Sequence, residues 1–141
     1  LYSVSKFAVG GSHVYKWAVE EGATENVAFT ETAQWAPTHD GNADIVILQL
    51  GTNDLDNVIV LGDSGEEQYL TTYESIVQSY LRLENTPYVI LSNTPVNYKN
   101  VDSTIAQLNM QIASKYGLPC VDMYAYTLAY STEEITTYYN R

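Results

Sequence analysis

The chain has 141 residues, of which 45% are apolar and 16% are charged, a composition typical of one globular domain and not of a disordered chain. Seventeen acidic residues against six basic ones give a formal net charge of −11, which disfavours nucleic acid and anionic membrane surfaces as partners. No apolar run could cross a bilayer and no segment has the layout of a signal peptide. We therefore expect a soluble protein, with its compartment left open between cytoplasmic and secreted.

Apolar patterning predicts an alternation of strands and helices in the first half of the chain. Residues 5–9 form a short strand candidate, and residues 14–22 follow as a helix that ends at its glycine. Residues 26–42 have a mixed pattern, which we interpret as one helical turn followed by a turn at residues 38–41. Residues 45–50 give the clearest strand prediction, because five of the six are apolar without alternation, as in a parallel strand covered on both faces.

The second half of the chain continues the alternation after a long loop. Apolar spacing predicts a helix, a buried strand, a second helix closed by a glycine, a short strand and a last helix opened by a capping box. In chain order these elements cover residues 66–83, 87–91, 102–117, 120–123 and 131–139. Strands that alternate with helices predict a three-layer αβα domain with a parallel sheet over residues 1–141.

The cysteine and histidine content limits metal and redox chemistry. Cys120 is the single cysteine, so an intrachain disulfide cannot form, and its apolar neighbours predict a buried thiol. His13 and His39 are the two histidines, and they are not in metal-ligand spacing, so we expect no metal and no cofactor. The thirteen tyrosines are typical of half-buried packing, although they would also suit the rim of a sugar-binding cleft.

The loop after the clearest strand reads Gly51-Thr52-Asn53-Asp54. A glycine directly after a strand lets the backbone turn sharply or approach a ligand closely. The Asn53 amide adds two uncharged N–H donors, the groups that stabilise an oxyanion, where one well-placed donor contributes roughly 3–4 kcal/mol in the transition state. An Asx-turn that only ends the strand is the competing interpretation of the same residues.

The surrounding sequence favours the first interpretation. The run from Asp44 to Asp54 resembles the third sequence block of SGNH (GDSL-like) hydrolases, where a buried strand leads into Gly-x-Asn-Asp. Residues 7–12 are similar to the family's second block, and residues 88–95 and 108–123 are similar to the strand, helix and strand that follow its third. The resemblance spans nearly the whole chain in the family's order, and it implies a flavodoxin-like sheet and a serine esterase.

The resemblance also implies roles for individual residues. Asn53 matches the family's side-chain donor to the oxyanion. Gly11 matches the backbone donor to the same oxyanion, and Gly10 is a close rival because the glycine is doubled. Asp54 is expected to be structural and to bond its own loop.

Two parts of the family pattern are missing from the chain. The family's nucleophile is the serine of a Gly-Asp-Ser block ahead of the second block, and its base is a histidine three residues after an aspartate near the C-terminus. Neither stands in residues 1–141, which begin at Leu1. We therefore expect a fragment that lacks the family's first strand, is cut at both ends and is inactive by itself.

Other residues could in principle substitute for the missing pair. Gly62-Asp63-Ser64 spells the family motif, but it follows the Gly-x-Asn-Asp block instead of preceding it, so we interpret it as a turn and helix cap. His13 neighbours Gly11 and can reach the cleft but supplies no nucleophile. His39 precedes the clearest strand, at the end of the sheet away from chemistry. Asp122 has no histidine to orient.

Three functional interpretations follow. The first is an ester hydrolase that transfers an acyl group to serine and then to water, with a small ester or an acylated carbohydrate as substrate. The second is a non-catalytic or degenerate domain of the same architecture that binds a ligand at the Asn53 loop. The third, a nucleotide or phosphate binder, is disfavoured because no glycine-rich loop with a lysine follows any strand. The oligomeric state stays open.

Overall fold

Three short parallel strands lie side by side at the centre of the fold. The computed structural model describes residues 3–18, 26–96 and 102–129. The strands form one sheet, in the order β1 (Ile45–Leu48), β2 (Tyr88–Ser92) and β3 (Cys120–Val121). Both pairings are parallel.

Helices make the connections that parallel neighbours require. In chain order these are α1 (Leu55–Leu61), α2 (Asp63–Leu81), α3 (Thr104–Tyr116) and α4 (Met123–Leu128). The chain passes from β1 to β2 through α1 and α2, and from β2 to β3 through α3. Two short 3-10 helices, Phe29–Glu31 and Ala36–His39, precede β1. No helix in the described part of the chain has the length and apolar character needed to span a membrane.

The two faces of the sheet differ in what covers them. Side chains alternate along a strand, so the register sorts them into two sets. The core face packs with α2 and α3 into one cluster, and it carries Val46, Leu48, Val89, Leu91 and Cys120. The outer face carries Ile45, Ile47, Tyr88 and Val121, whose exposed fractions are 54, 64, 60 and 49%. Within the described residues, β1 is therefore covered on one face only.

Helix α2 supplies the largest buried side chains of the core. Its residues Tyr69, Tyr73, Ile76 and Tyr80 are buried at the three- and four-residue spacing of one helical face. The Tyr69 hydroxyl donates a hydrogen bond of 2.7 Å to Asn109 Oδ1, and burial raises the pKa of Tyr69 well above its ordinary value. These tyrosines are packing residues and do not form the rim of a cleft.

Most of the predicted elements are present. The α/β class, with a parallel sheet and helices packed alongside, is confirmed. Strands β1 and β2 and helices α2 and α3 lie within one to three residues of their predicted bounds. Gly117 ends α3 with a left-handed φ of 63°. The predicted helix at residues 131–139 lies outside the described residues.

Two helices were not predicted. Helix α1 occupies the region interpreted as a long loop, and it was missed because Val58, Ile59, Val60 and Leu61 are consecutive apolar residues without helical periodicity. Helix α4 begins where a strand was predicted to continue. The Asp122 carboxylate accepts a hydrogen bond of 3.0 Å from the Ala125 N–H and caps this helix, so β3 ends at Val121.

Two predictions for the N-terminal region were wrong. Residues 5–9 form no strand, because no strand of the described chain pairs with them and their side chains are largely exposed. Residues 14–18 form no helix. The N–H groups of Val14 and Tyr15 donate to the Asp54 carboxylate, and the backbone of His13 pairs with residues 27 and 29. Tertiary hydrogen bonds thus replace helical ones; residues 19–25 lie outside the described part.

The difference between the two sheet faces can be tested at neighbouring positions of β1. Leu48 is 6% exposed and Ile47 is 64% exposed. We expect Leu48→Ala to lower the free energy of unfolding by about 2–5 kcal/mol, because it opens a cavity in the core. Ile47→Ala should cost less than about 1 kcal/mol, because its side chain loses little burial. Urea denaturation of both variants measures the two losses, and equal losses would contradict a one-sided core.

Candidate functional site

The loop at residues 51–54 leaves β1 through a backbone position that only glycine fits. Gly51 has a φ of +108°, a region that residues with a side chain rarely adopt. A Cβ atom at this position would overlap the Tyr69 hydroxyl and would lie 2.6 Å from Ile105 Cγ2. The loop therefore packs closely against α2 and α3, and this contact fixes the backbone position from which Asn53 and Asp54 follow.

Asp54 joins this loop to a segment forty residues earlier. Its side chain is 0% exposed. The carboxylate accepts hydrogen bonds from the Val14 N–H at 3.0 Å, from the Tyr15 N–H at 3.5 Å and from the Trp17 indole N–H at 2.8 Å. The structural role expected for Asp54 is thus present, but the partners of its side chain belong to another loop and not to its own.

Asn53 bonds the same segment from the neighbouring position. The Asn53 amide Nδ2 donates a hydrogen bond of 2.9 Å to the Ser12 carbonyl oxygen. Gly11 directly precedes Ser12, so the two residues matched to the oxyanion donors are brought together although forty positions separate them in the chain.

Gly11 and Asn53 line one cleft, which we call the Asn53 cleft. Its volume is about 260 Å³, and its lining residues are Gly11, His13, Thr52, Asn53, Leu55, Asp56 and Asn57. The cleft lies beyond the carboxyl end of β1, where parallel sheets carry their functional groups. Gly10 is exposed and is not part of this lining.

The lining of the Asn53 cleft is mainly polar. Its lining residues include the side-chain amides of Asn53 and Asn57, the imidazole of His13 and the carboxylate of Asp56. The Nδ1 atom of His13 is buried and has no hydrogen-bond partner within the described part of the chain. This arrangement can bind an oxygen-rich, uncharged molecule and can donate to one of its oxygens.

The alternative nucleophile and base lie elsewhere. Ser64 is exposed in the first turn of α2, and its Oγ accepts a hydrogen bond of 3.0 Å from Gln68 Nε2. His39 lies before the amino end of β1, with Nε2 2.8 Å from Ser79 Oγ and its ring stacked on Tyr80 at 4.2 Å. Neither residue lines the Asn53 cleft.

Two asparagines at the carboxyl end of the sheet, Asn93 and Asn109, were given no site role from the sequence, although the loop that begins at Asn93 follows a predicted strand. Asn93 follows β2, is fully buried and donates 3.1 Å to the Asp122 carboxylate, while its Oδ1 has no partner within the described residues. Asn109 of α3 connects Tyr69 to the Leu50 carbonyl oxygen. A single buried asparagine in a helix or loop leaves no periodic signal, so only three-dimensional contacts identify it.

The charges near the site act against a bound anion. Burial raises the pKa of Asp54 above its ordinary value, and the hydrogen bonds from Trp17 and Val14 offset part of that rise. Asp56 adds a carboxylate to the lining of the cleft. The described residues contain no group of three or more histidine, cysteine, aspartate or glutamate side chains that could hold a metal ion.

Comparison with protein-family models, with curated proteins and with solved structures found no match to this chain.

The raised pKa of Asp54 gives stability a defined dependence on pH. A carboxyl group whose pKa is raised on folding contributes stability that is present below its unfolded value and is lost as the pH rises through its folded value. Asp54→Asn removes this titration. We expect the stability of the original chain relative to Asp54→Asn to be greatest at acidic pH and to decrease as the pH rises above 3.8.

Urea denaturation at a series of pH values measures this difference. Asp63→Asn, at an exposed position of α2, is the control for the loss of one negative charge. A stability difference that grew with pH would contradict the direction of the Asp54 shift.

Proposed function

We propose that this chain carries the oxyanion-stabilising part of a serine ester hydrolase of the SGNH class. One observation carries the proposal: the two residues that match the family's oxyanion donors, Gly11 and Asn53, line one cleft at the carboxyl end of β1. An oxyanion site requires two donors that reach a single oxygen atom, and residues that line one cleft are placed to supply them.

The proposed reaction proceeds in two acyl transfers. A serine Oγ attacks the carbonyl carbon of the ester, its proton passes to a histidine, and the carbonyl oxygen takes up the negative charge. Collapse of this intermediate expels the alcohol with that proton, and water then releases the acid in the same way. Asn53 Nδ2 and the Gly11 N–H stabilise the oxyanion in both steps. The reaction needs a serine and a histidine that the described residues do not bring together in the Asn53 cleft.

An acylated carbohydrate is the proposed substrate. Asp56 and Asn57 line the Asn53 cleft and can hydrogen-bond hydroxyl groups, while a volume of about 260 Å³ suits an acetyl group and part of one sugar. A net charge of −11 favours a neutral substrate over an anionic one.

The alternative is a non-catalytic domain that binds its ligand in the same cleft. It is favoured by the position of Ser64 and His39, because neither supplies a nucleophile or a base to the Asn53 cleft. An enzyme site and a simple binding site differ in which ligand they prefer, since an enzyme binds the charged, tetrahedral transition state more tightly than the planar ester.

Two small probes separate these functions. Methyl methylphosphonate is a tetrahedral anion, and methyl acetate is a neutral planar ester of similar size. We expect the phosphonate to bind at least about tenfold more tightly in 0.5 M salt, where the net charge of the chain is screened. Chemical-shift titration of the labelled chain measures both dissociation constants.

A matched pair of variants tests whether the preference for the phosphonate over the ester arises in the Asn53 cleft. Asn53→Leu removes the amide donor at similar volume and should abolish the preference for the phosphonate. Asn42→Leu, at an exposed position outside the cleft, should retain it. Tighter binding of methyl acetate than of the phosphonate would favour the non-catalytic alternative.

Residues 1–141 alone should show no esterase activity. We expect no labelling by a fluorophosphonate probe and no turnover of p-nitrophenyl acetate above background, because no described serine lines the Asn53 cleft. Turnover that is abolished by Ser64→Ala would contradict this expectation and would assign the nucleophile to the second Gly-Asp-Ser. Ser75→Ala, on an exposed turn of the same helix, is the control.

A further inference from the structure

Two neighbouring residues of the loop after β1 hold one segment through hydrogen bonds of opposite direction. Asn53 donates to the Ser12 carbonyl oxygen, and Asp54 accepts from N–H groups of residues 14–17. The segment at residues 12–17 is thereby fixed at both ends against the loop. The Asn53 cleft lies beside the hydrogen bond between Asn53 and Ser12, because Gly11 and His13, the neighbours of Ser12, both line the cleft.

The bonds to Asp54 converge on one atom. Oδ1 accepts from the Trp17 indole at 2.8 Å, from Val14 at 3.0 Å and from Tyr15 at 3.5 Å, whereas Oδ2 accepts only from Val14, at 3.1 Å. Three donors can meet at one oxygen in only a narrow range of backbone conformations. The carboxylate therefore restricts the backbone conformation of residues 14–17 as well as their distance from the loop.

Burial of a charge is a costly way to join two loops. Asp54 is 0% exposed, and its hydrogen-bond donors are neutral N–H groups, so the desolvation of the carboxylate is offset only in part. An apolar contact at the same place would hold the loops together without this cost. The carboxylate also fixes the orientation of the segment relative to the loop, since hydrogen bonds restrict angle as well as distance.

The segment also makes contacts that do not involve the loop after β1. The exposed pair of Lys16 and Glu31, at 3.2 Å, contributes little because water screens it. The backbone of His13 pairs with residues 27 and 29. In the described structure, the side chains of Asn53 and Asp54 bond the segment to the loop after β1, and Asp54 forms most of these hydrogen bonds.

We propose that Asp54 is a positioning residue of the Asn53 cleft: by gathering the N–H groups of Val14, Tyr15 and Trp17 at one oxygen, it holds the segment that follows Gly11 against the loop that carries Asn53, so that both residues line the cleft and can bind one oxygen ligand. The identity of that ligand, an oxygen with negative charge, rests on the proposed function. The positioning itself depends on an acceptor oxygen at the place of Oδ1 and not on the charge.

If positioning depends on the acceptor oxygen of Asp54, two substitutions at this residue should have different effects. Asp54→Asn retains an oxygen acceptor in place of Oδ1, and Asp54→Ala removes it. At a temperature where circular dichroism shows both variants folded, we expect Asp54→Ala to weaken methyl methylphosphonate binding at least about tenfold and Asp54→Asn to stay within about threefold. The indole N–H signal of Trp17 should shift in the alanine variant, while that of Trp35, the other tryptophan, serves as the reference.

Two results would overturn the proposal. Unchanged phosphonate binding in folded Asp54→Ala would show that the cleft keeps its geometry without the carboxylate. Equal loss of binding in both variants would show that the charge, and not the acceptor oxygen, is what the site needs. If Asp54→Ala does not fold, Trp17→Phe removes one donor and leaves the carboxylate in place; it should weaken phosphonate binding more than Trp35→Phe does, and equal effects would overturn the proposal.

A separate readout distinguishes this proposal from the proposed function. Failure of the original chain to bind the phosphonate would refute the oxyanion role of the cleft. Positioning is then judged by hydrogen exchange of the Asn53 side-chain amide, which Asp54 keeps against Ser12. Faster exchange in Asp54→Ala than in Asp54→Asn supports positioning, and equal exchange in the two variants refutes it.

Discussion

The buried carboxylate of Asp54 is the constraint on which the candidate site depends. Asp54 is the last residue of the loop that leaves β1. Its carboxylate binds N–H groups of a segment that, along residues 14–18, has neither helical nor sheet hydrogen bonds of its own. A buried polar group is tolerated only when it is hydrogen-bonded, and here the donors and the acceptor satisfy one another. The fold of the N-terminal segment is therefore decided by a residue forty positions later.

The packing of the sheet explains why the loop after β1 depends on the hydrogen bonds of Asp54. Its core face packs with α2 and α3, whereas Ile45 and Ile47 on the outer face are exposed in the described structure. A parallel sheet is normally covered on both faces, so half of the usual packing around β1 is not provided by the described residues. Two other contacts hold the loop after β1 in place. Gly51 packs against Tyr69 and Ile105, and the Asp54 carboxylate accepts hydrogen bonds from the segment that begins at Val14.

The sequence predicted those parts of the fold that depend on local pattern. Strand β1 is a continuous apolar run, and α2 repeats its tyrosines at helical spacing, so both were identified. Residues 14–18 form no helix although Val14 and Trp17 have helical spacing, because both side chains pack in the core while their N–H groups bond Asp54. At the site, the motif singled out Gly11 and Asn53, and both line the Asn53 cleft, while their role as oxyanion donors stays a prediction. No local pattern indicates which N–H groups a buried aspartate will bind.

Under the proposed function, an oxyanion site in so acidic a chain has to act through local dipoles. The net charge of −11 and the Asp56 carboxylate repel an anion that approaches from water, so a site of this kind suits a substrate that enters neutral. Negative charge then develops only in the transition state, within hydrogen-bond distance of N–H donors, where low dielectric strengthens their attraction. Solvent and salt screen the distant carboxylates, but they do not screen a donor in contact with the oxygen. Fixed donor geometry therefore matters more in this chain than total charge, and that geometry is what the hydrogen bonds of Asp54 determine.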